Sequence, residues 1–149
     1  MKIIEIDGNK KAYLPLLLLG DEQENMIDRY IDRGRMFAVD DNGIKAVCVV
    51  TDEGNQILEI KNIAVEPDCQ RKGYGKALVD FICEKFKDEY SALQAGTGDS
   101  PLTVPFYKKC GFERAHIIKN FFTDNYDAPI VECGKQLADM IYFKKKMNK

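Results

Sequence analysis

Gln70-Arg71-Lys72-Gly73-Tyr74-Gly75-Lys76 is the stretch of this sequence best suited to hold an anion. An apolar run from Gln56 to Val65 leads into it. An amphipathic run leaves it, from about Gly73 to Asp88, with Ala77, Leu78, Phe81, Ile82 and Phe86 on one face. The two glycines let the backbone curl so that successive N–H groups converge, and the first N–H groups of a helix have no internal partner. The helix dipole adds positive potential at the same point, which suits phosphate. Arg71, Lys72 and Lys76 add charge around it. Two well-known phosphate loops do not fit. The dinucleotide fingerprint needs three spaced glycines, and only Gly73 and Gly75 are here. The Gly-x-x-x-x-Gly-Lys-Ser/Thr pattern is absent. Taken alone, a Gly-x-Gly pair at a helix start also reads as a tight turn.

Glu59 is the one carboxylate inside the apolar stretch Ile57-Leu58-Glu59-Ile60. A carboxylate taken out of water is a stronger base, so Glu59 is a candidate proton acceptor. The competing readings are a glutamate facing solvent or one paired with Lys61, because strand alternation puts both on one face. His116, the single histidine, lies in Ala115-His116-Ile117-Ile118 and reads as a packed strand residue rather than a base, although imidazoles titrate near neutrality. One histidine also removes most His-based metal sites and makes a Ser-His-Asp triad a poor fit. The five cysteines, Cys48, Cys69, Cys83, Cys110 and Cys133, form no CxxC pair, so neither a disulfide framework nor a four-ligand zinc site is expected.

These residues need a scaffold to position them. The chain has 149 residues, enough for one domain over 1–149 that folds without a staple. A 45% hydrophobic fraction excludes disorder. Lys plus Arg total 22 against 24 Asp plus Glu, a net charge of −2, which argues against a nucleic-acid surface. The apolar run Leu16 to Leu19 is far short of the ~20 residues of a membrane span, and the start of the chain has no apolar signal core. A cytoplasmic protein is expected.

Lys2–Ile6 reads as a strand, and Lys10 to Gly34 as two helices broken at 20–24. Arg35–Asp40, Ile44–Thr51 and Gln56–Val65 read as an antiparallel meander, turned at Asn42-Gly43 and at Asp52–Asn55. After the helix from Gly73 come a strand at Ser91–Ala95, a loop at Gly96–Pro101 and a short helix from Leu102 to Cys110. Phe112–Phe122 reads as a strand, 123–134 as an irregular acidic segment, and Leu137–Lys146 as a last strand. Lys144–Lys146 reads as an ordinary solvated end. The expected fold class is α/β with a mixed sheet: a parallel strand pair across the central helix, hairpins on either side, helices on both faces.

In that context the loop becomes specific. Gln70-x-x-Gly73-x-Gly75, after Ile63-Ala64-Val65-Glu66-Pro67, resembles the acetyl-coenzyme A loop of the GNAT superfamily of N-acetyltransferases. Phe106-Tyr107-Lys108-Lys109-Cys110-Gly111-Phe112 resembles that family's Phe-Tyr-x-x-x-Gly-Phe element. The resemblance spans essentially the whole chain and is clearest from Ile57 to Phe112.

It implies acetyl-CoA as cofactor. Its pyrophosphate would lie on backbone N–H groups of Arg71, Lys72, Gly73, Tyr74, Gly75 and Lys76, with Gln70 at the loop's start. Its pantetheine arm would lie along Ile63, Ala64 and Val65, beside a splay of parallel strands. Tyr107 takes the family's general-acid position; the alternative is a tyrosine packed beside Phe106. Glu59 matches the place of a general-base glutamate on this strand in the histone-acetylating branch. Many members have an asparagine seven residues before the tyrosine; here that residue is Ser100, whose hydroxyl has shorter reach toward the cofactor. Glu22, Glu24, Asp124 and Asp127 fall in the two segments that flank the family's acceptor cleft. The implied activity is direct acetyl transfer to a primary amine of a small molecule or peptide. The rival reading is an acyl-CoA-binding regulatory module without turnover. Dimerisation is common in such domains, but no feature of the sequence demonstrates it.

Overall fold

The computed structural model describes residues 1–147. Seven strands form the main sheet, in the spatial order β1-β2-β3-β4-β5-β9-β6. In chain order they are β1 (Lys2–Ile6), β2 (Arg35–Asp40), β3 (Ile44–Asp52), β4 (Ile57–Val65), β5 (Ala92–Gly98), β6 (Glu113–Ile118) and β9 (Met140–Lys146). A small hairpin, β7 (Val131–Glu132) and β8 (Lys135–Gln136), stands apart. The helices are α1 (Leu14–Gly20), α2 (Glu24–Ile27), α3 (Tyr74–Phe86), α4 (Val104–Lys109) and α5 (Phe121–Asn125). No helix among the described residues is long and apolar enough to cross a membrane.

The meander forms as its turns dictate. Between β2 and β3, Asn42 and Gly43 take positive φ, and the Asp40 carboxylate accepts the Gly43 N–H at 3.1 Å. Between β3 and β4, the Asp52 carboxylate accepts the Gly54 N–H at 2.8 Å. α3 and α4 cover one face of the sheet over a core that includes Phe37, Cys48, Leu78, Ile82, Phe86 and Phe143. α1 and α2 cover the other, over Leu17, Ile27, Ile31, Met36, Val47 and Val49. Phe37 packs edge-on to Phe86 with centroids 6.1 Å apart. Truncating either fully buried ring to alanine would cost about 3–5 kcal/mol.

Two irregularities shape the centre. The β3–β4 register slips between Val49↔Asn62 and Val50↔Ile60, so Lys61 is an unpaired bulge residue. One residue earlier, the parallel pairing of β4 with β5 ends at Ile60↔Ala95. Beyond that, β4 follows β3 out to Val65 and β5 follows β9 out to Gly98. The two strands therefore part, and a slot opens in mid-sheet.

Several expected boundaries move. The first three residues of the expected loop at Gly96–Pro101 belong to β5: Gly96, Thr97 and Gly98 pair with Tyr142, Ile141 and Met140. The helix expected up to Gly34 is a single turn, α2, followed by turns. Phe112–Phe122 divides into β6 and α5. The last strand, expected over Leu137–Lys146, starts at Met140 and ends at Lys146 as expected; the three lysines at its end pair with β5 rather than lying loose, and the Lys145 ammonium donates to the Cys110 carbonyl at 2.7 Å.

Candidate functional site

The loop between β4 and α3 has the free donors that an anion needs. Arg71 (φ 65°) and Gly73 (φ 88°) are both left-handed, which turns the chain sharply into α3. Among the described residues, the N–H groups from Arg71 to Lys76 have no hydrogen-bond partner; the first N–H of α3 to close a turn onto the loop is that of Ala77, on the Gly73 carbonyl at 2.9 Å. Gln70 Nε2 donates to the Val65 carbonyl at 3.4 Å and ties the loop's start to the end of β4. Lys76 pairs with Asp80 one turn on at 2.8 Å, and Tyr74 donates to the Asp41 carboxylate. The main chain and the helix end thus carry most of the anion attraction, with Arg71 and Lys72 beside them.

Gly75 allows α3 to approach α4. A Cβ there would sit 3.0 Å from Phe106 Cε1 and 3.2 Å from Cζ. Gly75→Val should displace Phe106 and with it the start of α4. We expect the KM for acetyl-CoA, the cofactor that the loop's resemblance implies, to rise roughly tenfold or more, as misplacement of binding groups does, with a lower Tm. Initial-rate kinetics and thermal unfolding check this; an unchanged KM would contradict the packing argument.

Tyr107 lies on the α3 side, buried at 5% exposure, in an aromatic cluster. Its ring stacks on Phe143 (5.7 Å, 17°) and meets Phe106 and Phe112 edge-on. Burial pushes its phenol well above the usual range, and the Cys48, Cys110 and Glu59 groups push the same way. The phenol oxygen has no hydrogen-bond partner among the described residues, yet it is not one of the sealed, unsatisfied atoms. It is therefore a protonated donor with an open side.

Glu59 lies on the opposite face. Leu58 and Ile60 point into the α3-side core, so alternation turns Glu59 the other way. It is buried at 4% exposure, which removes the solvent-facing reading. Its oxygens are well supplied with donors. Gln94 Nε2 donates to Oε1 at 2.6 Å. The Tyr142 hydroxyl and the Lys61 ammonium donate to Oε2 at 3.1 and 2.8 Å. The Lys61 pair is present, but inside a four-residue cluster rather than on a wet surface. Gln94 and Tyr142 escaped the sequence reading because they come 35 and 83 residues later. Alternation along β9, with Ile141 and Phe143 in the α3-side core, was the available signal for Tyr142. His116 is exposed, not packed inside; a register shift in β6 brings its ring over Tyr142, stacked at 4.5 Å and 8°.

Ser100 is buried at 3%, and its hydroxyl accepts the Leu102 N–H at 3.1 Å in the turn before α4. Its first use is local. Of the four flanking acids, Glu24 pairs with Lys11 on the surface. Glu22 is pushed up by burial and then by the charges of Glu132 and Asp21. Asp124 lies on α5, and the Asp127 N–H donates to Gln23 Oε1 at 2.9 Å. Asp21, which the sequence did not single out, accepts the hydroxyls of both Tyr30 (3.0 Å) and Tyr126 (2.5 Å). It lashes the segment after β6 to the α1–α2 junction. Asn62 extends this network, its amide donating to Tyr30 Oη at 3.1 Å and the Leu17 carbonyl at 2.8 Å.

The geometry comprises a donor-rich helix start, a slot between parting strands, a protonated phenol on one face and a held carboxylate on the other. Comparison with known proteins agrees. The family model for the acetyltransferase (GNAT) domain matches residues 32–114. An uncharacterised N-acetyltransferase of Bacillus subtilis, YvbK, is 38% identical over 138 residues, covering 91% of this chain and 88% of the relative. A GNAT family acetyltransferase from Elizabethkingia anophelis, solved with acetyl-CoA bound, superposes with a TM-score of 0.91 at 34% identity, over 97% of each chain. A Bacillus subtilis acetyltransferase in complex with CoA gives 0.87 at 33% identity, again over 97% of each. The chain is an acyltransferase that uses acetyl-CoA, and it belongs to the GNAT family of acetyltransferases.

Proposed function

We propose that this enzyme transfers the acetyl group of acetyl-CoA directly to a primary amine of a small molecule or peptide. The observation that carries the reading is the parting of β4 and β5 after Ile60↔Ala95, with Tyr107 on one face and Glu59 on the other. When bound, acetyl-CoA supplies an acetyl group activated as a thioester. The free N–H groups from Arg71 to Lys76, with Gln70 at the loop's start, hold the pyrophosphate, as charge and donor geometry favour. Backbone groups of Ile63, Ala64 and Val65 line the slot, since β4 has no β5 partner there. Ser100 borders the same side.

A neutral amine is the nucleophile, so its proton must go first. Glu59 accepts that proton, directly or through a water. Tyr107 gives its proton to the departing sulfur, which its buried, protonated phenol suits. The two proton transfers occur on opposite faces of the sheet, so acid and base do not neutralise one another.

A panel of spermidine, kanamycin A, lysine and an alanine-initiated peptide, incubated with acetyl-CoA and read by mass spectrometry, tests this. Protein-dependent acetylation of at least one amine is expected. CoA binding without any acetylated amine would overturn it in favour of a regulatory module.

A further inference from the structure

Lys61 is the residue that the β4 bulge leaves unpaired, at the point where the slot opens. Its ammonium stands between two carboxylates, 2.8 Å from Glu59 Oε2 and 3.9 Å from Glu53 Oε1. Neither carboxylate is free to move. Glu59 is held by Gln94 and Tyr142. Glu53 is held by the Thr51 hydroxyl at 2.6 Å and by Arg33 at 2.9 Å. The lysine is the mobile member, a flexible four-carbon stem with three rotatable donors.

We propose that Lys61 occupies the position of the acceptor's ammonium on Glu59, and yields it by moving to Glu53 when the amine arrives. This rests on reading Glu59 as the base, and it deepens that reading. A buried carboxylate left without a cation is costly. Pairing it with an internal lysine removes that cost while the site waits. An arriving ammonium then replaces the lysine charge for charge, so the buried charge never goes unbalanced. Glu53 is already shared with Arg33, so the second position is the weaker one. The exchange therefore costs acceptor affinity, which makes Lys61 a residue that sets the acceptor KM. It also specifies the acceptor: a compact primary ammonium able to make the contact a lysine makes.

Lys61→Met keeps the stem and removes the charge. The acceptor KM should fall at least about threefold, the scale of a partly exposed ion pair. The acid limb of the kcat/KM profile should move to higher pH, since a buried carboxylate without its cation takes up a proton more readily. Lys61→Arg should raise the acceptor KM, because a guanidinium grips a carboxylate with two N–H groups. Neither change should alter the KM for acetyl-CoA. With Glu59→Gln already in place, Lys61→Met should have no further effect on the acceptor KM.

Each amine of the panel that turns over serves as acceptor. Butylammonium, titrated against the Glu59 carboxyl carbon by NMR, gives a readout independent of turnover; its midpoint should fall in Lys61→Met. Lys61→Gln replaces Lys61→Met if that variant unfolds. An unchanged or raised acceptor KM with superimposable pH profiles in the neutral variant would overturn the exchange. If Glu59→Gln alters the profile while the neutral Lys61 variant does not, only the exchange falls. If Glu59→Gln alters nothing, both fall.

Discussion

Tyr107→Phe should lower kcat by an order of magnitude or more, the scale of a lost general acid, while the Kd for acetyl-CoA stays within about twofold. The substitution removes one oxygen and keeps the ring. Its contacts with Phe143, Phe106 and Phe112 all involve the ring, so the cluster and the position of α4 survive. The oxygen has no partner among the described residues, so no buried group is orphaned by its loss. What disappears is the proton for the departing thiolate, an interaction made during the reaction and not in the ground state. The loss should therefore fall on kcat and kcat/KM together. In the parent enzyme the phenol's raised pKa keeps it protonated through the working range, so it sets no alkaline limit near neutrality. Equal kcat in the two proteins would remove Tyr107 from the chemistry and leave it a packing residue.

Glu59→Gln should cost about a hundredfold or more in kcat/KM at neutral pH, as removal of a positioned base does. The limb of the pH–rate profile that reports the base should disappear with it, so the rate then rises with the fraction of neutral amine in solution. This variant carries a structural cost that Tyr107→Phe does not. Glu59 accepts from three donors, and an amide has an NH2 of its own where a carboxylate has a second oxygen. Mispairing one buried donor costs about 1–3 kcal/mol, so the Tm should fall modestly. The pH profile separates the two effects, because a structural loss lowers the curve without changing its shape. A curve of identical shape would exclude Glu59 as base.

How far the sequence carried can be judged from particular residues. The hairpin at Asn42-Gly43, the loop from Gln70 to Lys76 and the helix after it were readable because each is set by neighbours in the chain: positive φ at a turn, orphan N–H groups, an apolar stripe. β5 was cut short because Gly96-Thr97-Gly98 has turn composition; its strand state comes from pairing with β9, whose Met140 and Tyr142 side chains fill the space over Gly96. The last strand reads from sequence as far as Lys146, and it does end there, although the charge of Lys144–Lys146 also suggests a solvated end. In the sheet all three pair with β5, and Lys144 also pairs with Glu113 of β6. Glu59 itself was visible as the odd carboxylate in an apolar strand. Its Lys61 partner was visible too, from strand alternation, but Gln94, Tyr142 and the β4 bulge were not, since they meet only when distant strands take their register. The Asp21 link between Tyr30 and Tyr126 was hidden for the same reason.

Direct transfer across the slot is tested most directly by a rapid-quench experiment with an accepted amine. Acetyl-CoA is mixed with the enzyme with and without the amine, and free CoA, acetylated amine and intact protein mass are followed through the first turnover. We expect CoA and acetylated amine to appear together in equal amounts, with no CoA released before the amine is added and no acetyl group carried on the protein. A burst of CoA ahead of the amide, or an acetylated enzyme that passes its group on, would contradict direct transfer.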